Sequence, residues 1–462
     1  MDDARRRALA TQAAVGLASF LTPFVYGALS VAMPTMGRQF DFSPSQMAMV
    51  MMVHLILSTS CNLPFGRLSD RIGRKRIFMA GSLVFAASSL LAASSNTVWL
   101  LVTARALQGV GDAMTFGVSA AILVSAVAPE RVGRAMGANI AFVYAGLALG
   151  PLMGGALTAY LSWRVIFLLS SAAGVAALML IQRGYEEASV KMPAGLDLPG
   201  IALYLPALTS LILGVSLQPS WAGLGLVALS LPLFRALYRA ESRIARPLLD
   251  IAFLRGHPGF DLANLASTLG YAAGFSTSFL VSLLLQSVMG LSASEAGYVL
   301  LVQPLAMAMA SPVAGMLSDR FHPGKVAATG LCVLCLGMFA LAGLGADAQL
   351  SRVAWLLGLA GLGFALFVSP NIHAIMQSSD APHMGMASGL LATMRGFGMC
   401  LSLSVTGIVL ALFVGQMEAA RAGAEILPAL RTCFILAGLT GSAAAWVSWR
   451  GATAGRNAPD KQ

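Results

Sequence analysis

Charge is scarce in this chain. Only 10% of its 462 residues are Asp, Glu, Lys or Arg, against about a quarter in ordinary soluble domains. Hydrophobic residues make up 57%, and the mean hydropathy is +0.78. No polar stretch between the apolar runs is long enough for a soluble domain, which leaves no room for a catalytic one. There is no P-loop, no nucleophile elbow and no metal-ligand cluster, so neither an enzyme nor a cofactor is expected. Cysteine is sparse as well. Cys332 and Cys335 are spaced C-x-x-C, but they lie inside the apolar run "GLCVLCLGMF" with no βαβ context and no neighbouring His. They read as small packing residues rather than a redox pair or zinc ligands. Acids are the scarcer charge, 19 against 29 Lys and Arg, for a net charge of +10. The basic excess does not point to nucleic acid, because these residues sit in short loops where they orient helices against the cytoplasmic face.

What is present is a succession of apolar stretches of about 20 residues, the length that crosses a hydrocarbon core about 30 Å thick. Fourteen spanning helices are expected, near 11–35, 46–65, 77–95, 98–126, 135–158, 163–182, 196–216, 220–238, 260–286, 295–317, 325–345, 352–376, 384–414 and 428–448. The fold class is therefore an all-α polytopic membrane protein. The opening MDDARRR is followed by apolar residues from Ala8 to Met36. That run is far longer than the roughly 7–15 residues of a signal-peptide core, and it reads as the first span. With the N-terminus inside, only Arg38, Arg164, Arg352, Arg421 and Arg431 fall outside the cell, and Arg105 and Arg395 fall within helices. This distribution obeys the positive-inside rule and places both termini in the cytoplasm.

An internal repeat supports the same threading. "GRLSDRIGRKR" at 66–76 recurs as "GMLSDRFHPGK" at 315–325, each copy directly after an apolar run. The copies follow the second and tenth expected helices, so two extra helices lie between two six-helix halves. The expected organisation is an N-terminal bundle at 1–182, two inserted helices with linkers at 183–258, and a C-terminal bundle with a short tail at 259–462.

These residues carry a resemblance to the major facilitator superfamily, and within it to the fourteen-helix drug:proton antiporter branch, over nearly the whole chain. "GRLSDRIGRK" is similar to the family's cytoplasmic loop signature at every fixed position, with Gly66, Asp70, Arg71, Gly73, Arg74 and Lys75 in register, and Asp319 and Arg320 belong to the second copy. The resemblance implies a gate that closes the cytoplasmic side. Physically, charge-assisted hydrogen bonds at helix ends can latch one conformation; the plainer alternative is a basic cluster that only fixes topology. "GLALGPLMGG" resembles an antiporter-type signature of the fifth helix, carried by Gly146, Gly150, Pro151, Gly154 and Gly155. Glycines four apart form a smooth stripe and Pro151 removes a backbone donor, a combination that suits a pivoting helix as well as ordinary close packing. "SWRVIFLLS", the stretch 278–304 and "ASGLLATMRGFG" resemble later segments of the same branch.

"RALQGVGDAM" at 105–114 is similar to the fourth-helix signature, with Arg105, Gln108, Gly109 and Gly111 in register and Asp112 where the family more often has a small residue. Seven residues bring Arg105 and Asp112 to about 20° short of two turns, on one face with Gln108 between them. Each buried charge costs roughly 2.5–3.5 kcal/mol or more in hydrocarbon, so this face should point into the bundle. The reading is a proton-coupling acid; the alternative is a fixed ion pair between helices. Many relatives carry an acid in the first helix, but the matching stretch "FVYGALSVAMP" has Val25 there, which leaves Asp112 as the acid placed deep in the membrane. Asp261 and Glu295 fall near helix starts. His54 is a second proton candidate, since its ordinary pKa lies near neutrality, and His373 reads as structural. Residues expected to line a substrate cavity are Gln108, Met51, Met114, Phe116, Tyr144, Tyr271, Phe275, Gln303 and Arg395.

The function expected from this reading is secondary active transport: proton-driven efflux of a small amphipathic compound by alternating access. The setting is the inner membrane of a bacterium. The expected partners are the substrate, protons and the bilayer, with the protein a monomer and the proton gradient as the energy source. Two rivals stand beside it. One is an importer or uniporter of an organic anion that uses Arg105 and Arg395 as carboxylate contacts. The other is a membrane binding or signalling protein without transport.

Overall fold

Hydrocarbon offers no hydrogen bonds, so a chain this apolar must satisfy its backbone internally, as helices or as a closed barrel. The computed structural model describes residues 3–42, 44–126, 132–186, 198–218, 220–244, 251–378, 384–414 and 423–454. Among them are helices and no strand, and fourteen helices are long and apolar enough to span a membrane.

The chain divides into two compact units, Met1–Leu196 with Leu291–Tyr298, and Asp197–Gly290 with Val299–Gln462. The first contains α1 (Asp3–Phe40), α2 (Pro44–Ile72), α3 (Arg74–Ala93), α4 (Val98–Ala126), α5 (Val132–Tyr160) and α6 (Arg164–Gly184). The second contains α7 (Leu198–Ser216), α8 (Trp221–Glu241), α9 (Ile251–Gly256), α10 (Pro258–Gly274) and α11 (Thr277–Leu283). After α12 (Ala293–Leu300), which begins in the first unit's segment, it continues with α13 (Val302–Arg320), α14 (Pro323–Ala342), α15 (Leu350–Gln377), α16 (Met384–Val414) and α17 (Leu427–Ala454).

In the first unit α5 lies along α1, and the glycine stripe explains why. A Cβ on Gly146 would sit 2.4 Å from the Phe20 carbonyl oxygen, one on Gly150 2.7 Å from that of Phe24, and one on Gly154 2.4 Å from the Ala28 Cα. Three glycines four apart therefore match three α1 residues four apart, backbone against backbone. Gly155 faces elsewhere, toward the Ala293 carbonyl of the segment Leu291–Tyr298. The apolar core of this unit gathers Ala14, Val15, Phe78, Val118, Ile122 and Ile181.

In the second unit α8 packs on α7, and α7 is joined to α16, where Tyr204 Oη meets Thr393 Oγ1 at 3.0 Å and Ser216 Oγ meets Ser404 Oγ at 2.8 Å. The span expected at 260–286 is interrupted: α10 and α11 are separate, followed by a π turn, Leu284–Val288. At the break the Ser276 N–H donates to Ser402 Oγ at 3.1 Å, and Ser402 Oγ in turn donates to Ser276 Oγ at 2.9 Å. A side chain on α16 thus satisfies a backbone group at the helix break. The span expected at 295–317 is likewise broken between α12 and α13, just before Pro304, which cannot donate to the carbonyl four residues back.

The stripe makes a direct prediction. Gly154→Leu forces its side chain into the Ala28 backbone and should lower the thermal midpoint of the detergent-purified protein by several degrees or abolish folded yield, an overpacking cost of about 1–3 kcal/mol or more. Gly225→Ala on α8, with nothing within 4 Å of the added Cβ, should leave the melting curve unchanged. Size-exclusion profiles and melting curves of the two variants decide the point.

Candidate functional site

The polar face of α4 is its defining feature. Arg105, Gln108, Asp112, Thr115 and Ser119 recur every three or four residues, and all five are buried. Two glycines on this helix set what they meet. A Cβ on Gly109 would lie 2.3 Å from the His54 carbonyl oxygen on α2, and one on Gly111 would lie 2.6 Å from the Phe85 nitrogen on α3. Because α2 presses directly on α4 at Gly109, His54 arrives beside Asp112, with Nε2 at 3.6 Å from Oδ2. That separation is within ion-pair reach and beyond hydrogen-bond length.

Asp112 is 4% exposed and held by hydroxyls from two other helices. Ser58 Oγ of α2 donates to Oδ2 at 2.6 Å, and Thr22 Oγ1 of α1 donates to Oδ1. A hydroxyl can donate or accept, whereas an ionised carboxylate only accepts and a protonated one also donates. The same cradle can therefore hold Asp112 with or without a proton after a simple rotation of O–H groups. His54 adds a titratable neighbour; its Nδ1 is buried and meets no hydrogen-bond partner among the described residues.

Arg105, 1% exposed, is engaged elsewhere. Its Nε donates to the Val50 carbonyl at 3.3 Å and its Nη1 to Gln108 Oε1. Gln108 Nε2 then donates to Ser89 Oγ at 2.8 Å on α3. Among the described residues Asp112 forms its ion pair with His54 and none with Arg105. One face of α4 thus carries two arrangements, a guanidinium fixed to α2 and α3 and a carboxylate fixed to α1 and α2. Thr22, Ser58 and Ser89 were not legible as site residues: single hydroxyls in apolar runs carry no spacing signal.

The remaining predicted residues are shared between the two units. Met114 packs into the apolar core of the first unit with Phe78 and Val118, Met51 is fully buried, and Phe116 and Tyr144 are partly buried. In the second unit Tyr271 stands edge-on to Phe364 and Phe367, with the Arg395 guanidinium 6.0 Å from its ring centroid. Gln303 Oε1 accepts from Ser278 Oγ at 3.2 Å, and Phe275 caps α10. Asp261 and Glu295 occupy first turns of their helices, and His373 Nδ1 lies 3.1 Å from Ser318 Oγ.

In the loop motif, Gly73 adopts φ 107° between α2 and α3, a conformation that favours glycine. Lys75 Nζ donates to the carbonyls of Gln182 and Tyr185 at 2.9 and 2.5 Å, capping the C-terminal end of α6 with a positive charge. Arg74 reaches the Ala121 carbonyl at 3.5 Å. Gly66 has only ordinary contact with α4, and Arg320 is exposed. The side chains of Asp70, Arg71 and Asp319, and all of Arg421, lie outside the described residues. Cys332 is exposed and Cys335 buried, both as free thiols. Among the described residues no group of three His, Cys, Asp or Glu is placed to hold a metal.

Known proteins resemble the chain over most of its length. It is 32% identical over 390 residues to the uncharacterized transporter YebQ of Escherichia coli K12, covering 83% of this chain and 85% of that one. To the cephamycin export protein CmcT of Amycolatopsis lactamdurans it is 31% identical over 407 residues, 84% and 83%. To the riboflavin transporter RibZ of Clostridioides difficile it is 28% identical over 375 residues, 81% and 82%. A crystal structure of a bacterial homologue of the lysosomal transporter Spinster, inward-facing and unoccupied, superposes with a TM-score of 0.69 at 17% identity over 97% of this chain and 96% of that one; at that identity it shows the fold alone. The profile of the Major Facilitator Superfamily matches residues 15–403. The fourteen apolar helices, the loop motif and its repeat, and these relatives agree: the chain belongs to the major facilitator superfamily of membrane transporters and is no enzyme.

Proposed function

We propose that this transporter exports a small amphipathic compound in exchange for protons, that Asp112 binds the coupling proton, and that His54 is its titratable partner. The observation that carries the reading is the Asp112 cradle. A carboxylate buried in an apolar helix is held by two rotatable hydroxyls and a histidine rather than by a permanent cation, so it can change protonation without leaving a charge stranded. Arg105, tied to Val50 and Gln108, keeps a fixed positive charge on the same helix face. The export function named for CmcT favours this direction of transport.

The antiporter-type stripe on α5 and the loop motif serve as pivot and cytoplasmic gate in this reading, with Lys75 joining α3 to the end of α6. Both termini lie in the cytoplasm, the protein sits in a bacterial inner membrane, and it works as a monomer. A second reading, an importer or uniporter of an organic anion, is favoured by Arg395, a half-buried cation held over Tyr271.

In an efflux-deficient bacterium the wild-type chain should lower accumulation of at least one compound from a panel of cationic, neutral and anionic substrates. Asp112→Asn, expressed equally, should return accumulation to the empty-vector level; equal export by both would make the aspartate structural. His54→Gln should retain some export but flatten its dependence on an imposed pH gradient in liposomes. An unaltered dependence would remove His54 from coupling. If neither chain exports and Arg395→Gln abolishes uptake of an organic anion, the import reading replaces this one.

A further inference from the structure

The Asp112 cradle has a second side. His54 and Ser58 approach from α2, while residues of α1, α3, α4 and α6 line a cavity of about 10 Å3, enough for about one water molecule. Its apolar wall includes Ala18 and Ala177, and its polar wall is Ser82, Asp112 and Thr115. Ser82 is 2% exposed, and its Oγ meets no hydrogen-bond partner among the described residues. Thr115 Oγ1 donates toward the Gly111 and Asp112 carbonyls at 3.3 and 3.0 Å, which leaves its lone pairs able to accept. Beside Ser82, a Cβ on Gly81 would lie 2.6 Å from Met114 Cβ, so α3 already touches α4 at this level and cannot close the gap by moving inward.

We propose that this cavity is a single-water site. The water accepts from the Ser82 hydroxyl and donates to the Asp112 carboxylate and to Thr115 Oγ1. Three polar partners are within the range that buried waters use, whereas cavities that stay dry are apolar on all sides. The water supplies the missing partner of Ser82. It also ties the carboxylate to α3, which offers it no direct hydroxyl. Asp112 then has hydrogen-bonded links to α1 and α2 through side chains and to α3 through solvent. The bearing of this water on proton coupling rests on the reading of Asp112 given above; its presence does not.

The test is a map of the purified wild-type protein at a resolution that shows ordered waters, joined to infrared spectra of the Asp112 carboxyl group. That band is assigned by its loss in Asp112→Asn. Density between Ser82, Asp112 and Thr115 is expected in the wild type and should vanish in Ala177→Leu, whose added methyl groups fill the cavity. Ser82→Ala should shift the Asp112 band by removing one partner of the water. An empty cavity in the wild-type map overturns the proposal, as does a band that Ser82→Ala leaves unmoved. The wild-type map decides by itself if a variant does not fold. Neither readout involves transport, so a protein that holds the water and moves no substrate would overturn the export reading and leave the water site intact.

Discussion

A carboxylate in hydrocarbon must find partners, and the first unit is arranged around that requirement. Insertion scales put the cost of Asp at the centre of a span at roughly 2.5–3.5 kcal/mol, and Arg105 brings a second charge onto the same helix. Direct pairing of the two is one solution. The structure takes another: Asp112 is met by Thr22, Ser58 and His54, and Arg105 by the Val50 carbonyl and Gln108. The two charges stay on one face, each with its own partners and without contact between them.

That arrangement depends on glycine. A side chain as short as that of Ser58 reaches Asp112 because α2 and α4 come within backbone contact at Gly109. Gly109 brings α2 to α4, and Gly146, Gly150 and Gly154 seat α5 along α1 over the turns that include Thr22. The glycines of the fourth- and fifth-helix motifs therefore do one job at two interfaces, letting backbones meet, and at the α2–α4 interface that approach lets Ser58 bridge to Asp112.

Much of this was legible in the sequence. Hydropathy alone places the fourteen spans, because an apolar run of this length has few other structures open to it. The i, i+3, i+4 spacing of Arg105, Gln108 and Asp112 announces a single polar face. The partners of that face were hidden for a physical reason: Thr22, Ser58 and Ser89 are uncharged residues in apolar helices, and such residues commonly bond their own helix's carbonyls, as Ser88 and Thr103 do. Only the contact of one helix with another assigns them. The breaks after α10 and α12 were missed on similar grounds. The first is stabilised by Ser402, more than a hundred residues away in sequence, and the second is marked by a proline that hydropathy passes over.

The helices that hold Asp112 are also the ones weakened near it. In α1, Pro23 directly follows Thr22 and removes the backbone bond that would reach the Ser19 carbonyl. In α2, Pro64 lies six residues beyond Ser58 and removes the bond to the Ser60 carbonyl. Prolines are the commonest sites at which long helices bend, and here each lies within two turns of a hydroxyl donor to the carboxylate. A bend in α1 moves Thr22 relative to α4, while Arg105 stays tied to the Val50 carbonyl of α2 and to Gln108. The Asp112 carboxylate then keeps Ser58 and loses Thr22, so the hydrogen bonds that offset its burial depend on the geometry of α1. The same few hydrogen bonds that make burial of the acid tolerable are thus also the ones that tie α1 and α2 to α4.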